Sequence, residues 1–279
     1  MARRALPGRR GAARATAAVL VGVALVPFIL TWFQINQSQR GRELFAAVRA
    51  NDLAGVQALL KTGADPNMRD APPPPHGPGE FIERLLNRSS DPARQPTPLL
   101  AALCVERRSA QGMNEVSYNP NPNPAILSAL LSRGANANAT DWAQTPPIAF
   151  AVASGNTEAV GTLLRYGAAV NQADVIGSTP LFVAAGQGRT RMMRYLIDHG
   201  ADVHTRNTAK ETTLIYTVRF SRMPDSVTFL LDRHVDPNLK DIRGKTALYY
   251  ANNPDTYLAP SQTRLLPQVI SLLAKAGAR

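Results

Sequence analysis

The feature that most constrains this chain is a period. Gly134, Gly167 and Gly200 fall 33 residues apart, and His234 takes the same place after a further 34. A unit this short cannot bury its own apolar face, so it has to stack on copies of itself in an elongated array. Asp174–Val203 is the fullest copy. Thr179 stands there as a helix N-cap, its hydroxyl expected to take an orphaned backbone N–H, and Pro180 follows where a missing N–H costs nothing. Leu181, Ala184 and Ala185 give a first helix its apolar side, and Gly186 with Gly188 breaks it. Met192, Met193, Leu196 and Ile197 carry a second helix, which Gly200 closes.

The landmarks Asp174, Gly177, Thr179-Pro180-Leu181, Ala184-Ala185 and Gly200-Ala201-Asp202 resemble the ankyrin repeat, a unit of about 33 residues. The resemblance implies an all-α ankyrin-repeat solenoid of stacked helix-turn-helix units with β-hairpin finger loops. Six copies can be read over residues 41–279, interrupted by insertions near 71–95, 109–124 and 252–263. The prolines of the first insertion, and the asparagines and prolines of the second, favour disordered excursions over ordered lids. In the third copy Pro146 takes the capping threonine's place, which predicts a weaker cap. The fifth copy is more degenerate, with Lys210 for the loop glycine, Thr213 for the proline and His234-Val235-Asp236 for Gly-Ala-Asp. Phe150, Tyr216 and Tyr250 are expected to stack between units, and Lys275–Arg279 to give the last repeat a polar outer face.

Ahead of the repeats, residues 15–35 carry no charge and include the apolar run Ala17–Phe33. Such a run is long enough as a helix to cross a hydrocarbon layer about 30 Å thick, so one transmembrane helix is expected before the solenoid. Five arginines in residues 1–14 make a basic tail that the positive-inside rule keeps in the cytoplasm. The solenoid is then expected on the far side of a cell membrane, periplasmic in a bacterium. A cleaved signal peptide competes with this reading, although the bulky residues from Phe28 to Phe33 make a poor small-x-small site. The link from Gln34 to Arg40 spans at most about 25 Å, which would hold the repeats close to the bilayer.

The five tail arginines leave +6 of the +11 net charge for the rest of the chain. With no basic run interleaved with aromatics, that charge gives no case for nucleic-acid binding. Hydrolase, phosphate-loop and metalloprotease signatures are absent, and Gly186-Gln187-Gly188 is accounted for by the repeat. His199, His204 and His234 have no metal-ligand spacing, so no metal, cofactor or small-molecule substrate is expected. The single cysteine, Cys104, falls on the first helix of the second copy, and only His76 could serve it as a base.

What remains is surface. By the ankyrin resemblance, a protein partner is expected along the concave side, at the finger tips and the residues after Ala-Ala. These positions carry Trp142, Val175, Ile176, Ile242, Arg243 and Lys245 on fingers, and Gln187, Arg219 and Phe220 on first helices. Arg219 and Arg243 suit forked hydrogen bonds to an acidic partner. The function expected is a membrane-tethered scaffold for protein–protein interaction. A secreted ankyrin effector that binds host proteins is the alternative, with a membrane-tethered enzyme using Cys104 behind it.

Overall fold

The computed structural model describes residues 38–69, 96–108, 114–253 and 264–279. Residues 15–35, read as the membrane helix, lie outside the described residues, as do 71–95 and 254–263. Among the described residues no helix is long and apolar enough to cross a membrane.

Among the described residues six helix pairs follow one another. They are α1 (38–49) with α2 (Leu53–Lys61), α3 (Pro98–Leu103) with α4 (Pro124–Ser132), and α5 (Pro147–Ser154) with α6 (Thr157–Arg165). The remaining pairs are α7 (Pro180–Gly186) with α8 (Thr190–Asp198), α9 (Thr213–Phe220) with α10 (Pro224–Leu231), and α11 (Ala247–Asn252) with α12 (Leu266–Lys275). Helices of six to twelve residues are too short to stand alone in water, so their stability comes from packing. First helices stack in the order α3, α5, α7, α9, α11, with the second helices behind them. One apolar seam runs the whole length from Leu44 through Leu99, Leu127, Ile148, Leu163, Leu181, Leu196, Leu214 and Leu230 to Leu273.

Capping follows the sequence with one exception. The hydroxyls of Thr97, Thr212 and Thr246 accept from the third backbone N–H onward, at 3.4, 3.2 and 3.3 Å. Pro146 caps α5 with no side-chain bond, as its lack of a side-chain acceptor dictates. Thr179, by contrast, holds the cap position of α7 without capping it, and its buried hydroxyl has no partner. Burial between repeats and Pro180 at N1 hold that helix start in place of the hydroxyl.

A ladder of asparagines, not foreseen from the sequence, ties repeat to repeat. Asn67 donates to the Gly134 carbonyl at 2.7 Å and accepts from the Asn136 N–H at 2.7 Å. Asn138 does the same with Gly167 and Ala169, Asn171 with Gly200 and Asp202, and Asn238 with Gly277 and Arg279. Each side chain thereby satisfies a helix-end carbonyl and a loop N–H of the next unit, groups that would otherwise be left without partners. The ladder misses one rung, where His204 stands at the asparagine position. His234 keeps the turn that glycine makes elsewhere, at φ 60.

The second insertion departs from expectation. Residues Cys104–Arg108 form strand β1, which pairs antiparallel with β2 (Asn114–Tyr118), Cys104 facing Tyr118 across the register. α3 therefore ends at Leu103, and Cys104 is its extended C-cap and not a helical residue. β2 rests against α5. The chain re-enters the repeat at Asn123, whose side chain caps α4 and also donates to Asn51 of the first repeat at 2.9 Å. The stretch from residue 114 to 123 is thus an ordered part of the array.

Candidate protein-binding surface

Each of the four described fingers is a tight turn held by one acidic or amide side chain. Asp141 accepts from the N–H of Ala143 at 2.9 Å and of Thr145 at 2.8 Å. Asp174 does so for Ile176 and Ser178, and Asp241 for Arg243 and Lys245. Asn207 plays this part in the fifth repeat, accepting from the Glu211 N–H at 2.9 Å. The fingers are then joined in a row by one backbone bond each: Val175 N–H to the Ala143 carbonyl, Thr208 N–H to Ile176, and Ile242 N–H to Ala209, at 3.0, 3.0 and 2.8 Å. Among the described residues the expected finger hairpins amount to one isolated bridge, Arg206 to Thr212. Gly177 is required twice over, by φ 73 and because a Cβ there would lie 3.0 Å from the Thr208 nitrogen.

This row holds apolar side chains in water. Trp142 is 62% exposed, Val175 and Ile176 52% each, and Ile242 65%. Such a cluster of exposed apolar tips makes this row the candidate surface for a protein partner. Arg243 is exposed beside Ile242, and the Lys245 ammonium lies 3.7 Å from the Tyr249 ring centre. Lys210, on the neighbouring finger, is exposed too.

The carboxylates nearby are spent inside the fold. The buried Asp241 accepts from the Tyr250 hydroxyl at 2.5 Å as well as from its own turn. Burial pushes its pKa up, but the bonds from Tyr250 and from the Lys245 and Arg243 N–H groups outweigh that and hold it below the usual carboxylate value. Burial and the same Asp241 contact push the Tyr250 hydroxyl up to about 12.

On the first helices the predicted residues divide. Phe220 is 45% exposed and tilts against Tyr216, with ring centres 4.4 Å apart. Gln187 is exposed and donates to the Ala153 carbonyl of the preceding repeat at 3.3 Å. The two residues line an open groove of about 510 Å³ together with Tyr118, Met223 and Leu265. Tyr118 and Met223 were not foreseen: Tyr118 comes from the hairpin and Met223 from the turn between α9 and α10, where helical periodicity carries no signal.

Arg219 is not available as expected. Its guanidinium pairs with the buried Glu211 and lies over the rings of Phe220 and Tyr250, at 5.0 and 4.9 Å, so it serves repeat stacking. Tyr216 meets Phe182 of the preceding repeat edge-on at 5.3 Å, as an inter-repeat stacker should.

At the other end of the row a cleft of about 390 Å³ opens between the first two helix pairs and the Trp142 finger. Val48, Leu100 and Ile126 form its floor, with Arg49, Cys104 and Trp142 around it. Among the described residues no three His, Cys, Asp or Glu side chains gather as a metal site.

Residues 113–207 match the family of ankyrin repeats, in three copies, and residues 44–71 match a single ankyrin repeat. Over those residues the chain is built of ankyrin repeats. Over 46 residues it is 50% identical to an ankyrin repeat protein of Acanthamoeba polyphaga mimivirus, a match covering 16% of this chain and 11% of that relative. Its fold is similar to the crystal structure of an ankyrin repeat domain from Acinetobacter baumannii AYE, with a TM-score of 0.60 and 23% identity over 85% of this chain and 98% of that one. The helix-pair geometry continues through the degenerate fifth repeat, where Lys210 and His234 adopt the left-handed turns at φ 57 and 60 that glycine makes in its neighbours.

Proposed function

We propose that this ankyrin solenoid is a protein-interaction scaffold, tethered to a membrane by residues 15–35 and exported beyond it. The observation that carries the binding role is the row Trp142, Val175, Ile176 and Ile242, kept exposed and mutually fixed by the finger-to-finger bonds. A partner covering it gains apolar burial without having to order the surface first, since the turns are already held by Asp141, Asp174 and Asp241. Charge favours an acidic partner at the C-terminal end of the row. There Lys210, Arg243 and Lys245 border Ile242, while Glu211 and Asp241 are engaged within the fold.

The tether rests on sequence: an uncharged apolar run preceded by five arginines. Capture of a partner by the immobilised full chain, compared with a variant carrying Trp142→Ala, Ile176→Ala and Ile242→Ala, tests the surface. Equal capture by the two would refute it. A C-terminal alkaline phosphatase fusion tests the export, and an inactive fusion would refute that.

A further inference from the structure

The fingers of the fourth and sixth repeats have no backbone donor left to offer. The N–H groups of Asp174, Val175, Ile176, Gly177 and Ser178 are all bonded within the row, and so are those of Asp241, Ile242, Arg243, Gly244 and Lys245. A strand added to an edge needs donors as well as acceptors from it, so these fingers cannot take one. On the fifth finger between them the Thr208 hydroxyl is spent too, on the Ile176 carbonyl at 2.9 Å. Whatever covers this stretch must read side chains: Val175 and Ile176 at one end, Ile242 at the other, and the exposed Lys210, Lys240 and Arg243 around the second. Glu211 and Asp241, the carboxylates of the fifth and sixth fingers, are bound inside the fold, so the exposed charge of these two fingers is positive.

Spacing then selects the form of the partner. Stacked helices lie about 10 Å apart, which puts Ile242 roughly 20 Å along the row from Val175 and Ile176. An α-helix rises about 10.5 Å in seven residues and returns to nearly the same face, so one helix laid along the row repeats in step with the fingers. We infer that the fourth to sixth fingers bind an acidic amphipathic helix of a partner protein. One apolar side chain of that helix seats on Val175 and Ile176 and a second, about fourteen residues away, on Ile242, with carboxylates beside the second that meet Lys210 and Arg243. This rests on the reading of the finger row as the partner-binding surface and adds the partner's form to it.

The probe is a synthetic alanine- and glutamine-based helical peptide of about twenty residues, with two leucines about fourteen residues apart and glutamates flanking one of them. Its binding to the full chain is read by fluorescence anisotropy. A central proline, or a shift of one leucine to the opposite face, should weaken binding by at least about tenfold. Arg243→Glu in the chain should do the same, and lysines in place of the peptide's glutamates should restore binding to that variant. Equal binding of the proline peptide would overturn the helix, and equal binding of polyglutamate would overturn it too by reducing the site to charge. Parent-peptide binding that survives Val175→Ala, Ile176→Ala and Ile242→Ala together would lie elsewhere and sink the inference. So would no binding of the parent peptide at about 1 mM. The finger surface itself is judged separately, by partner capture with the Trp142, Ile176 and Ile242 variant, and stands without the helix if that capture is lost.

Discussion

Arg219 reaches from the end of α9 back to the finger of its own repeat, where its guanidinium pairs with Glu211, a carboxylate only 4% exposed. The same guanidinium lies 4.9 Å from the centre of the Tyr250 ring in the next repeat. One side chain therefore neutralises a buried charge and bridges the fifth and sixth units, the junction that the Asn238 rung also joins. Arg219→Ala leaves Glu211 buried without its cation and should cost about 3 kcal/mol, the usual cost of breaking a buried pair from one side. Urea denaturation measures this. A loss below about 1 kcal/mol would mean that water reaches Glu211 freely.

The missing rung can be restored. His204→Asn would place an amide where Asn171 and Asn238 each join the next unit, within reach of the His234 carbonyl and the Asp236 N–H. A gain of about 1 kcal/mol is expected, the net worth of a hydrogen bond or two in partly exposed surroundings. The companion variant Asn171→Ala should lose a similar amount, and thermal melting of the pair compares them.

The Asp241–Tyr250 contact makes stability depend on pH at both ends. Asp241 is held below its ordinary value in the folded chain, so its contribution is present above the unfolded carboxylate pKa and is lost as pH falls through the folded one. Tyr250 is raised to about 12, so its contribution is present below the ordinary tyrosine value of about 10 and is lost as pH rises from there toward about 12. Melting temperature should fall at both extremes. Tyr250→Phe should flatten the alkaline fall, and a fall of undiminished steepness in that variant would assign it to other groups.

In the centre of the array, Leu181→Ala removes a side chain with no exposure and should cost roughly 2 to 5 kcal/mol. Gly186→Ala acts differently, since its new Cβ would come within 2.7 Å of Cε1 of Tyr216 and displace that ring from Phe182. Its signature should be lost coupling between the fourth and fifth repeats, seen as a broadened denaturation curve.

Removing the exposed row should leave the fold alone. Trp142→Ala, Ile176→Ala and Ile242→Ala together should abolish partner capture while shifting the melting temperature little, because solvent-facing truncations away from caps and core usually stay within about 0.5 kcal/mol each. Retained capture would move binding to the groove of Tyr118, Phe220 and Met223.

The repeat itself was legible in the chain because its physical requirements are local. A period near 33, a proline at N1, apolar residues at helical spacing and a small or left-handed residue at each turn are properties of neighbouring residues, so Leu181, Met193 and Gly200 could be placed without coordinates. Even the substitutions were legible, since His234 and Lys210 sit where the turn demands φ near 60 whatever the side chain. The exposed tips Trp142, Val175, Ile176 and Ile242 could be named in advance because a finger is a turn between defined landmarks.

What only the tertiary structure decided are contacts between residues far apart in the chain. Asn67 meets Gly134 across the first insertion, and Arg219 folds back on Glu211 instead of facing solvent. Thr179 is buried with its hydroxyl unpartnered, and Tyr118 shares a groove with Phe220 because β2 lies against α5. Local propensity sets where a helix begins and a chain turns. Which polar groups find each other across stacked units is set by distances of a few ångströms between backbones, and no spacing in the sequence encodes those.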